Sequence, residues 1–405
     1  MNIPISSHKK NESLPKAVIL GLYYTGYGVI RELSPYDIPL CAFDEELRWP
    51  ERVTRLAKRM VVHSEQDLLT KLTQFSEKEQ KKPVLFLTSD TYVEYYLRYR
   101  DVLKDYYSID FPESDVADLL LKKGRFAQFA SLHGYNIPST WIMRTAEDYA
   151  RISGEITFPC VVKPFWRSIT WLSAKLKKVY RYTTKAELEK GLEYLTRYET
   201  NLIIQQYISG GDREVYFHLM YYNNESKCIG EFTGRKLRQW PVGIGQTSCA
   251  EAAPWATEVR DESRRLFDQM KYRGFGSVEF KRDSSQGKYY IMEPTVGRQN
   301  AQSFLAAING VPMSLIGYSA LTGNLMPRGT RRVQKTFWID DQYDLFSIAV
   351  SGKRGCLHIR DVIRSYWGRK KLRLFNSQDI QVFLYCWTIV LLSKLLGKIR
   401  RKFLA

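Results

Sequence analysis

Short apolar runs alternate with amphipathic segments through the first part of the chain. The runs at 17–22 (AVILGL), 39–44 (PLCAFD), 60–63 (MVVH) and 83–90 (PVLFLTSD) have the length and bounding residues of buried strands. The segments between them have the turn-and-helix pattern of connections between parallel strands. Strands that alternate with helices predict a doubly wound α/β layer.

Three glycines, Gly21, Gly26 and Gly28, follow the first of these strands. Their spacing differs from the GxGxxG fingerprint of dinucleotide-binding folds, and the acids after the second strand, at 44–46, form a run. Two interpretations remain, nicotinamide binding and tight packing of a helix on a strand. The spacing favours the packing interpretation.

A second block begins at 118–140, where the pattern predicts an amphipathic helix that ends at His133-Gly134. The apolar strand FPCVVKP at 158–164 follows and contains one lysine, Lys163. Burying a lysine is costly unless an anion meets it. Lys163 therefore either binds an anion or lies on an edge strand, where its ammonium group can reach solvent.

Residues 274–298 predict an antiparallel hairpin that turns at 285–287, with Glu279 on its first strand and Glu293 near the end of its second. The two carboxylates can then face the same side. Two like charges in an apolar interior repel, and a Mg²⁺ ion shared with phosphate oxygens would remove that conflict. The alternative is that both are solvated acids of the hairpin.

Composition restricts the classes of protein that fit these patterns. The chain of 405 residues is long enough for two or three cores, and its net charge of +18 favours an anionic partner. Its six cysteines form no CxxC pair and its five histidines do not cluster, which argues against zinc sites, a disulfide framework and His-based triads. A reducing compartment is expected, and the polar N-terminal residues predict no secretory signal.

Three segments in this order carry a resemblance: FPCVVKP (158–164), IIQQYISGGDREV (203–215) and the hairpin at 274–298. Their order and spacing resemble the ATP-grasp superfamily, in particular its branch of predicted carboxylate–amine ligases, the ATP-dependent carboligases. The resemblance covers roughly residues 16–320.

The resemblance implies a mixed α/β and α+β fold in three parts. These are a Rossmann-like pre-ATP-grasp domain at 1–115, a two-lobed ATP-grasp domain at 116–325, and a basic helical C-terminal extension at 326–405. It also implies ATP and Mg²⁺ (or Mn²⁺) as cofactors, small-molecule carboxylate and amine substrates, and a cytoplasmic location. A role in cell-envelope or polysaccharide biosynthesis is a further hypothesis from the same branch.

The resemblance assigns roles to individual residues. The residues matched to the nucleotide are Lys163 for the ATP phosphates, the segment Gln206, Tyr207 and Ile208 for the adenine edge, and Asp212 or Glu214 for the ribose hydroxyls. Lys123 matches the lysine of an Asp-Lys pair in relatives, and Lys178, together with Trp171, matches a Lys-Pro…Trp…Lys pattern of this branch. Those matched to the metal are Glu279, Glu293 and Thr295. Those matched to the reacting phosphate and acyl group are Lys236, Arg238 and Arg298. This division fits the chemistry, because phosphoryl transfer to a carboxylate brings two anions together and needs metal ions and fixed cations.

The sequence departs from the family pattern at several of these positions. Thr295 stands where relatives have a metal-binding Asn, and Gln205-Gln206 stand where relatives often have a ribose-binding Glu. The segment 163–179, where many relatives have a glycine-rich phosphate flap, contains no glycine. These departures keep a second hypothesis open, an ATP-binding module without ligase activity. A nucleic-acid-binding protein is less favoured, since the basic residues are dispersed and no helix-turn-helix or RNP pattern is present.

The C-terminal segment 379–405 joins an apolar run to a basic end. The basic residues are Lys394, Lys398, Arg400, Arg401 and Lys402. The apolar run is about 14 residues long, short of the roughly 20 that span a bilayer. Two interpretations remain, a helix lying in the interface of an anionic membrane and a helix docked on its own domain.

Overall fold

The computed structural model describes residues 14–45, 50–165, 168–177, 179–323 and 335–388. The chain forms two compact units. Unit 1 contains the described residues of Met1–Ala117, Tyr216–Ser277 and Thr295–Ala405, and unit 2 contains those of Asp118–Val215 and Val278–Pro294. The predicted division at residues 115 and 325 stays a prediction.

The first part of unit 1 is a parallel sheet with helical connections. Its strands are β1 (Ala17–Leu20), β2 (Leu40–Asp44), β3 (Lys58–Val61) and β4 (Val84–Leu87), in the order β3-β2-β1-β4. The connecting helices are α1 (Tyr24–Leu33) and α2 (Glu65–Glu77), and α3 (Asp90–Tyr106) follows β4. Strands β1, β2 and β4 are buried along their whole length, as continuous apolar runs in parallel sheets are. The predicted doubly wound layer is confirmed.

Two of the three glycines after β1 allow α1 to approach that strand closely. Gly21 has a φ of +91°, and a Cβ on Gly26 would lie 1.9 Å from the carbonyl oxygen of Gly21. A side chain at Gly26 would therefore push the helix away from the strand. This geometry agrees with the packing interpretation of the glycine pattern.

Unit 2 contains a four-stranded antiparallel sheet with the order β5-β8-β6-β7. Its strands are β5 (Thr140–Met143), β6 (Cys160–Pro164), β7 (Tyr180–Tyr182) and β8 (Leu202–Gln206). The helices of this region are α4 (Ser114–Leu121), α5 (Lys123–Leu132), α6 (Ala146–Ile152), α7 (Ile169–Ser173) and α8 (Lys185–Leu195). A cluster of buried apolar side chains around Trp171 forms the core of this unit.

The segment predicted as one helix at 118–140 is two helices. Lys122, between α4 and α5, has an extended backbone (φ −90°, ψ 102°) that interrupts the helical hydrogen bonds. The prediction of a continuous helix is therefore wrong. Its predicted end is confirmed, because α5 stops at His133 and Gly134 has the left-handed φ of +67° that favours glycine.

A seven-stranded sheet has the order β13-β12-β9-β10-β11-β14-β15. Its strands are β9 (Val215–Tyr222), β10 (Cys228–Trp240), β11 (Gln246–Ala252), β12 (Gly274–Arg282), β13 (Tyr289–Val296), β14 (Phe337–Ile339) and β15 (Lys370–Leu372). The remaining helices are α9 (Thr257–Gln269), α10 (Ser303–Ile308), α11 (Met313–Thr322), α12 (Asp344–Lys353) and α13 (Ile359–Trp367). The predicted hairpin at 274–298 is confirmed as β12 and β13.

The start of the C-terminal segment packs against other residues of unit 1. Residues 380–388 are helical, and Val382 and Cys386 are buried in one apolar cluster with Tyr27. Asp379 accepts a hydrogen bond from the Tyr27 hydroxyl at 2.9 Å. The basic residues Lys394, Lys398, Arg400, Arg401 and Lys402 lie outside the described residues. No helix in the described part of the chain is long and apolar enough to span a membrane.

Glu32 is a buried acid of α1, and its carboxyl group contacts the first turn of α11. Its carboxylate accepts hydrogen bonds from the Ser314 hydroxyl at 2.7 Å and the Leu315 N–H at 3.1 Å. Burial raises the pKa of Glu32 to about 8, against this hydrogen bonding. The folded protein therefore holds a proton on this carboxyl at pH values where the unfolded chain has lost it.

We expect Glu32→Gln to remove a pH-dependent loss of stability. The folded pKa of Glu32 is about 8 and lies above the ordinary value of 4.5. The contribution of this carboxyl group to stability is therefore complete below pH 4.5 and is lost as the pH rises through 8. As the pH rises through this window, the unfolding free energy of the variant should therefore increase by about 2–4 kcal/mol relative to that of the wild type. Urea denaturation at a series of pH values measures this difference. Parallel pH profiles for the two proteins would contradict it.

Candidate active site

The segment predicted to bind adenine, Gln206 to Ile208, begins at the last residue of β8. The Gln206 N–H donates to the Ser139 carbonyl oxygen at 2.8 Å, and the Gln206 Oε1 accepts the Ser139 N–H at 3.3 Å. The Tyr207 N–H donates to the Pro159 carbonyl oxygen at 3.1 Å, and the Ile208 side chain is buried. These contacts hold the segment in a fixed backbone conformation within unit 2.

Two cations lie at cation–π distance from the Tyr207 ring. The Arg181 guanidinium is 4.1 Å and the Lys281 ammonium is 5.3 Å from the ring centroid. Burial lowers the pKa of Lys281, while the nearby Asp212 and Glu279 oppose that shift. Lys281 thus interacts electrostatically with Asp212, one of the two ribose candidates, and with Glu279, one of the acids matched to the metal.

Lys281 and Arg181 are the residues that sequence reasoning missed here. The signal for Lys281 was available, since it is a lysine in the mostly apolar strand GFGSVEFKRD, as Lys163 is in FPCVVKP. Arg181 carries no comparable signal, because it lies on a short strand with half-exposed neighbours.

Lys163 lies on an inner strand of its sheet. Strand β6 pairs with β8 on one side and β7 on the other, so the edge-strand alternative for this lysine is wrong. The Lys163 ammonium donates to the Gln205 Oε1 at 3.0 Å, and the Gln205 Nε2 donates to the Thr140 hydroxyl at 2.8 Å. The half-buried ammonium group is therefore oriented by a hydrogen-bonded chain across the sheet.

The two candidates for ribose binding, Asp212 and Glu214, lie on one turn of 3₁₀-helix at Asp212–Glu214. Glu214 is paired with Arg282 of β12, with 3.4 Å between the Arg282 Nη1 and the Glu214 Oε2. Asp212 lies near Lys281. Both acids thus have a basic neighbour on the same strand of the hairpin.

Asp283 joins this loop to the turn between β12 and β13. It accepts hydrogen bonds from the Ser209 hydroxyl at 2.9 Å, the Ser285 N–H at 2.8 Å and the Gln286 N–H at 3.1 Å. Hydrogen bonding, chiefly from Ser285, holds the pKa of Asp283 far below its usual range. The loop after Tyr207 is therefore tied to the hairpin that carries the predicted metal acids.

The predicted metal ligands lie on this hairpin. Glu279, on β12, is half-buried, and the Glu293 side chain, on β13, is 53% exposed, with its Oε1 3.4 Å from the Lys123 Nζ. Thr295 lies two residues further along β13. Within the described residues, no three or more His, Cys, Asp or Glu side chains gather as a metal-binding group. Two carboxylates nevertheless fit Mg²⁺, which takes oxygen ligands and keeps several for water and phosphate.

Two further predictions concern the segment after β6. Lys178 lies outside the described residues. Trp171, matched with it in the family pattern, is fully buried in the core of unit 2, and its indole N–H donates to the Lys177 carbonyl oxygen at 3.2 Å. The described contacts of Trp171 are those of a core residue.

The residues matched to the reacting groups include two on β10 in unit 1. Lys236 is buried and donates to the Gln239 Oε1 at 3.1 Å. Arg238, 4% exposed, makes two parallel hydrogen bonds of 2.8 Å to the Asp344 carboxylate and one of 3.0 Å to the Ser365 hydroxyl. Its remaining nitrogen, Nη1, finds no hydrogen-bond acceptor in the described part of the chain. The role of Arg238 in catalysis stays a prediction, but its contacts are those of a residue that stabilises unit 1.

The polar residues after β13 have separate partners in unit 1. The Arg298 Nε donates to the Asp90 carboxylate at 2.6 Å, and its Nη1 donates to the Asn300 Oδ1 at 3.1 Å. Asn300 in turn donates to the Ser277 hydroxyl at 2.6 Å. Gln299 is buried, and its Nε2 donates to the Ser314 hydroxyl. Arg298 is thus held against the first residue of α3.

The predicted site residues therefore divide between the two units. Unit 2 holds Lys123, Lys163, Gln206, Tyr207, Ile208, Asp212, Glu214, Glu279 and Glu293. Unit 1 holds Lys236, Arg238, Thr295 and Arg298. The nucleotide and metal candidates, apart from Thr295 and Lys178, belong to one compact unit.

The sequence matches no described protein family and no curated protein. The structure, in contrast, is similar to many solved structures. One is the N5-carboxyaminoimidazole synthetase of Staphylococcus aureus complexed with ADP, with a TM-score of 0.62 at 14% identity over 85% of this chain and 88% of that one.

Two others extend the comparison. The biotin carboxylase domain of the Hydrogenobacter thermophilus 2-oxoglutarate carboxylase, in complex with MgADP, ADP and bicarbonate, has a TM-score of 0.61 at 14% identity over 80% of this chain and 74% of that one. The L-amino acid ligase of Bacillus licheniformis has a TM-score of 0.53 at 14% identity over 78% of both chains. At this identity the likeness concerns the fold. This chain has the ATP-grasp fold.

Proposed function

We propose that this protein is an ATP-dependent carboxylate–amine ligase. The observation that carries the proposal concerns Lys281 of unit 2: its ammonium group lies 5.3 Å from the Tyr207 ring centroid, and the charges of Asp212 and Glu279 oppose the lowering of its pKa by burial. Lys281 thus interacts with one residue from each of the sets matched to adenine, ribose and metal, which supports the proposal. The similarity to an L-amino acid ligase and to ADP-bound synthetases and carboxylases supports the same activity.

The proposed reaction has two steps. A carboxylate oxygen of the first substrate attacks the γ-phosphorus of ATP, a P–O bond forms, and ADP leaves with the electron pair of the bond that breaks. The amine nitrogen then attacks the acyl carbon, phosphate leaves with the electron pair of the C–O bond, and the amine proton is released. Both steps concentrate negative charge, which fixed cations stabilise.

The residues of unit 2 have distinct roles in this proposal. Lys163 contacts the phosphates, and the backbone from Gln206 to Ile208 contacts the adenine edge. Glu279 and Glu293 hold a divalent ion, which supplies charge neutralisation to the phosphates when bound. Magnesium is the ion we propose, with Mn²⁺ as the predicted substitute, and MgADP is present in one of the similar structures.

A second candidate function is an ATP-binding module without ligase activity. Two observations favour it. Arg238, matched to the reacting groups, already has the Asp344 carboxylate as a buried partner, and Thr295 replaces the third metal ligand of the resembled family. Such a module would bind Mg-ATP and transfer no phosphoryl group to a carboxylate.

Acceptor-dependent release of ADP separates the two candidates. Purified protein with Mg-ATP is screened against a panel of amino acids and sugar acids, with and without simple amines, and ADP is measured by a coupled assay. The ligase proposal expects ADP release that rises only when a matching carboxylate is present. Tight ATP binding with no acceptor-dependent release across the panel would favour the module. The screen also addresses the hypothesis of a role in envelope or polysaccharide biosynthesis.

Lys281→Met should weaken ATP binding by about tenfold, because it removes a half-buried cation from the neighbourhood of the nucleotide residues. Titration with a fluorescent ATP analogue measures the dissociation constant. Lys288→Met is the matched control, since Lys288 lies on the same hairpin and is exposed. Equal affinity for the two variants would exclude Lys281 from the nucleotide site.

A further inference from the structure

Helix α13 of unit 1 has its apolar side outward and its polar side inward. Ile359, Ile363 and Trp367 recur every four residues on one face and are 59%, 51% and 87% exposed. Asp361 and Ser365, between them in sequence, are buried. A helix that packs on a core to bury its apolar face has the opposite arrangement. The exposed apolar stripe therefore has no function in the packing of unit 1.

The inward orientation of α13 is fixed by polar contacts. The Ser365 hydroxyl accepts from Arg238 at 3.0 Å, and the Tyr366 hydroxyl donates to Asp344, the first residue of α12, at 3.0 Å. These two hydrogen bonds, one buried and one partly buried, hold the helix with its stripe exposed. The neighbouring helix α12 also exposes apolar side chains, Leu345 and Phe346, immediately after Asp344.

The charge around the stripe has one sign. Asp361 is the single acid in the sequence from 345 to 378, and it is buried. The exposed basic side chains on and after α13 are Arg360, Arg364, Arg369, Lys370 and Lys371. One of them, Arg364, is paired with Glu251 of β11. The surface thus combines an apolar stripe containing a tryptophan with an excess of positive charge.

We propose that this face of α13 docks the protein on an anionic lipid surface. Interfacial helices insert Trp, Ile and Leu side chains at the boundary between head groups and acyl chains while Lys and Arg contact anionic head groups. A second copy of this chain fits less well, because a two-fold interface would place the same basic patch against itself. The inference is independent of the ligase proposal, since it uses none of the residues of the nucleotide or metal site.

Sedimentation with vesicles tests the proposal on the full chain. Phosphatidylcholine vesicles are compared with mixed phosphatidylcholine–phosphatidylserine vesicles. The double variant Ile363→Ser/Trp367→Ser should lose most binding to the mixed vesicles, and Lys370→Glu/Lys371→Glu should weaken it at least about tenfold. Neutral vesicles should bind the wild type weakly, and added salt should reduce binding to the mixed vesicles.

Controls separate this surface from the rest of the chain. Leu132→Ser removes an apolar side chain that is 83% exposed on α5 of unit 2, and it should bind as the wild type does. Circular dichroism and thermal unfolding of each variant should match the wild type, because every changed side chain is exposed.

Three results would overturn the proposal. The first is equal vesicle binding by the wild type, Ile363→Ser/Trp367→Ser and Lys370→Glu/Lys371→Glu, including the case where none of the three binds. The second is binding that is lost only when Lys398, Arg400 and Arg401 are changed to Glu, which would assign it to the C-terminal segment. The third is a concentration-dependent dimer, measured by light scattering without lipid, that Ile363→Ser/Trp367→Ser abolishes.

Discussion

Replacing either Glu279 or Glu293 with glutamine should lower the ligation rate by roughly 100-fold or more. Glutamine keeps the shape of the side chain and removes the negative charge that holds the metal. Folding should survive, since Glu293 is more than half exposed and its pairing with Lys123 is a surface contact of small energetic value. Steady-state ADP release at increasing Mg²⁺ concentration measures the effect, and the half-saturating concentration should rise in both variants.

The matched control for these changes is Glu193→Gln, on α8 of the same unit. Glu193 is exposed and pairs with Arg197 at 3.3 Å, away from the hairpin in sequence. The activity and the Mg²⁺ dependence of the Glu193→Gln protein should equal those of the wild type. A Glu293→Gln protein with near-normal turnover and an unchanged Mg²⁺ requirement would contradict the assignment of this hairpin as the metal site.

Arg238→Met should lower the unfolding free energy by about 3–5 kcal/mol. The change leaves the Asp344 carboxylate buried without its bidentate partner, although Ser248 and Tyr366 still donate to it at 2.9 and 3.0 Å. An uncompensated buried charge is the costly outcome of breaking such a pair. Asp344→Asn in the Arg238→Met background should recover part of the loss, because it removes that charge. Urea denaturation of the single and double variants measures both effects.

Arg98→Met serves as the control for Arg238→Met. Arg98 pairs with Glu65 on the surface of unit 1, and both side chains are largely exposed, so this change should cost less than about 1 kcal/mol. Activity per folded molecule should also be measured for Arg238→Met. Normal stability combined with lost turnover would show that Arg238 acts on the reacting groups rather than through Asp344.

Much of the fold was predictable because its signals are local. The strands β1, β2, β4 and β6 coincide with apolar runs bounded by turn residues, and the hairpin of β12 and β13 with two runs around Ser285. The break between α4 and α5 was not predictable from periodicity. The apolar pattern continues through Lys122, and only its backbone conformation separates the two helices.

The candidate site was predictable to a similar extent. Lys163 and Glu279 could be identified as candidate site residues because each is a charged residue in an apolar strand, and burying a charge is costly whatever the fold. Lys281 had the same signal and was overlooked beside Glu279. Arg181 had none, because its proximity to Tyr207 depends on how β7 and the end of β8 meet in space.

The sequence by itself determined the alternation of strands and helices, the two acids of the hairpin and the order of segments that resembles the ATP-grasp superfamily. Tertiary structure decided that Arg238 meets Asp344 across 106 positions of sequence and that Glu32 is buried beside α11. It also decided that α13 turns its isoleucines and tryptophan outward. Local patterns record the preferences of a strand or a helix, whereas the partner of a buried charge and the exposed side of a helix depend on which distant segments pack against it.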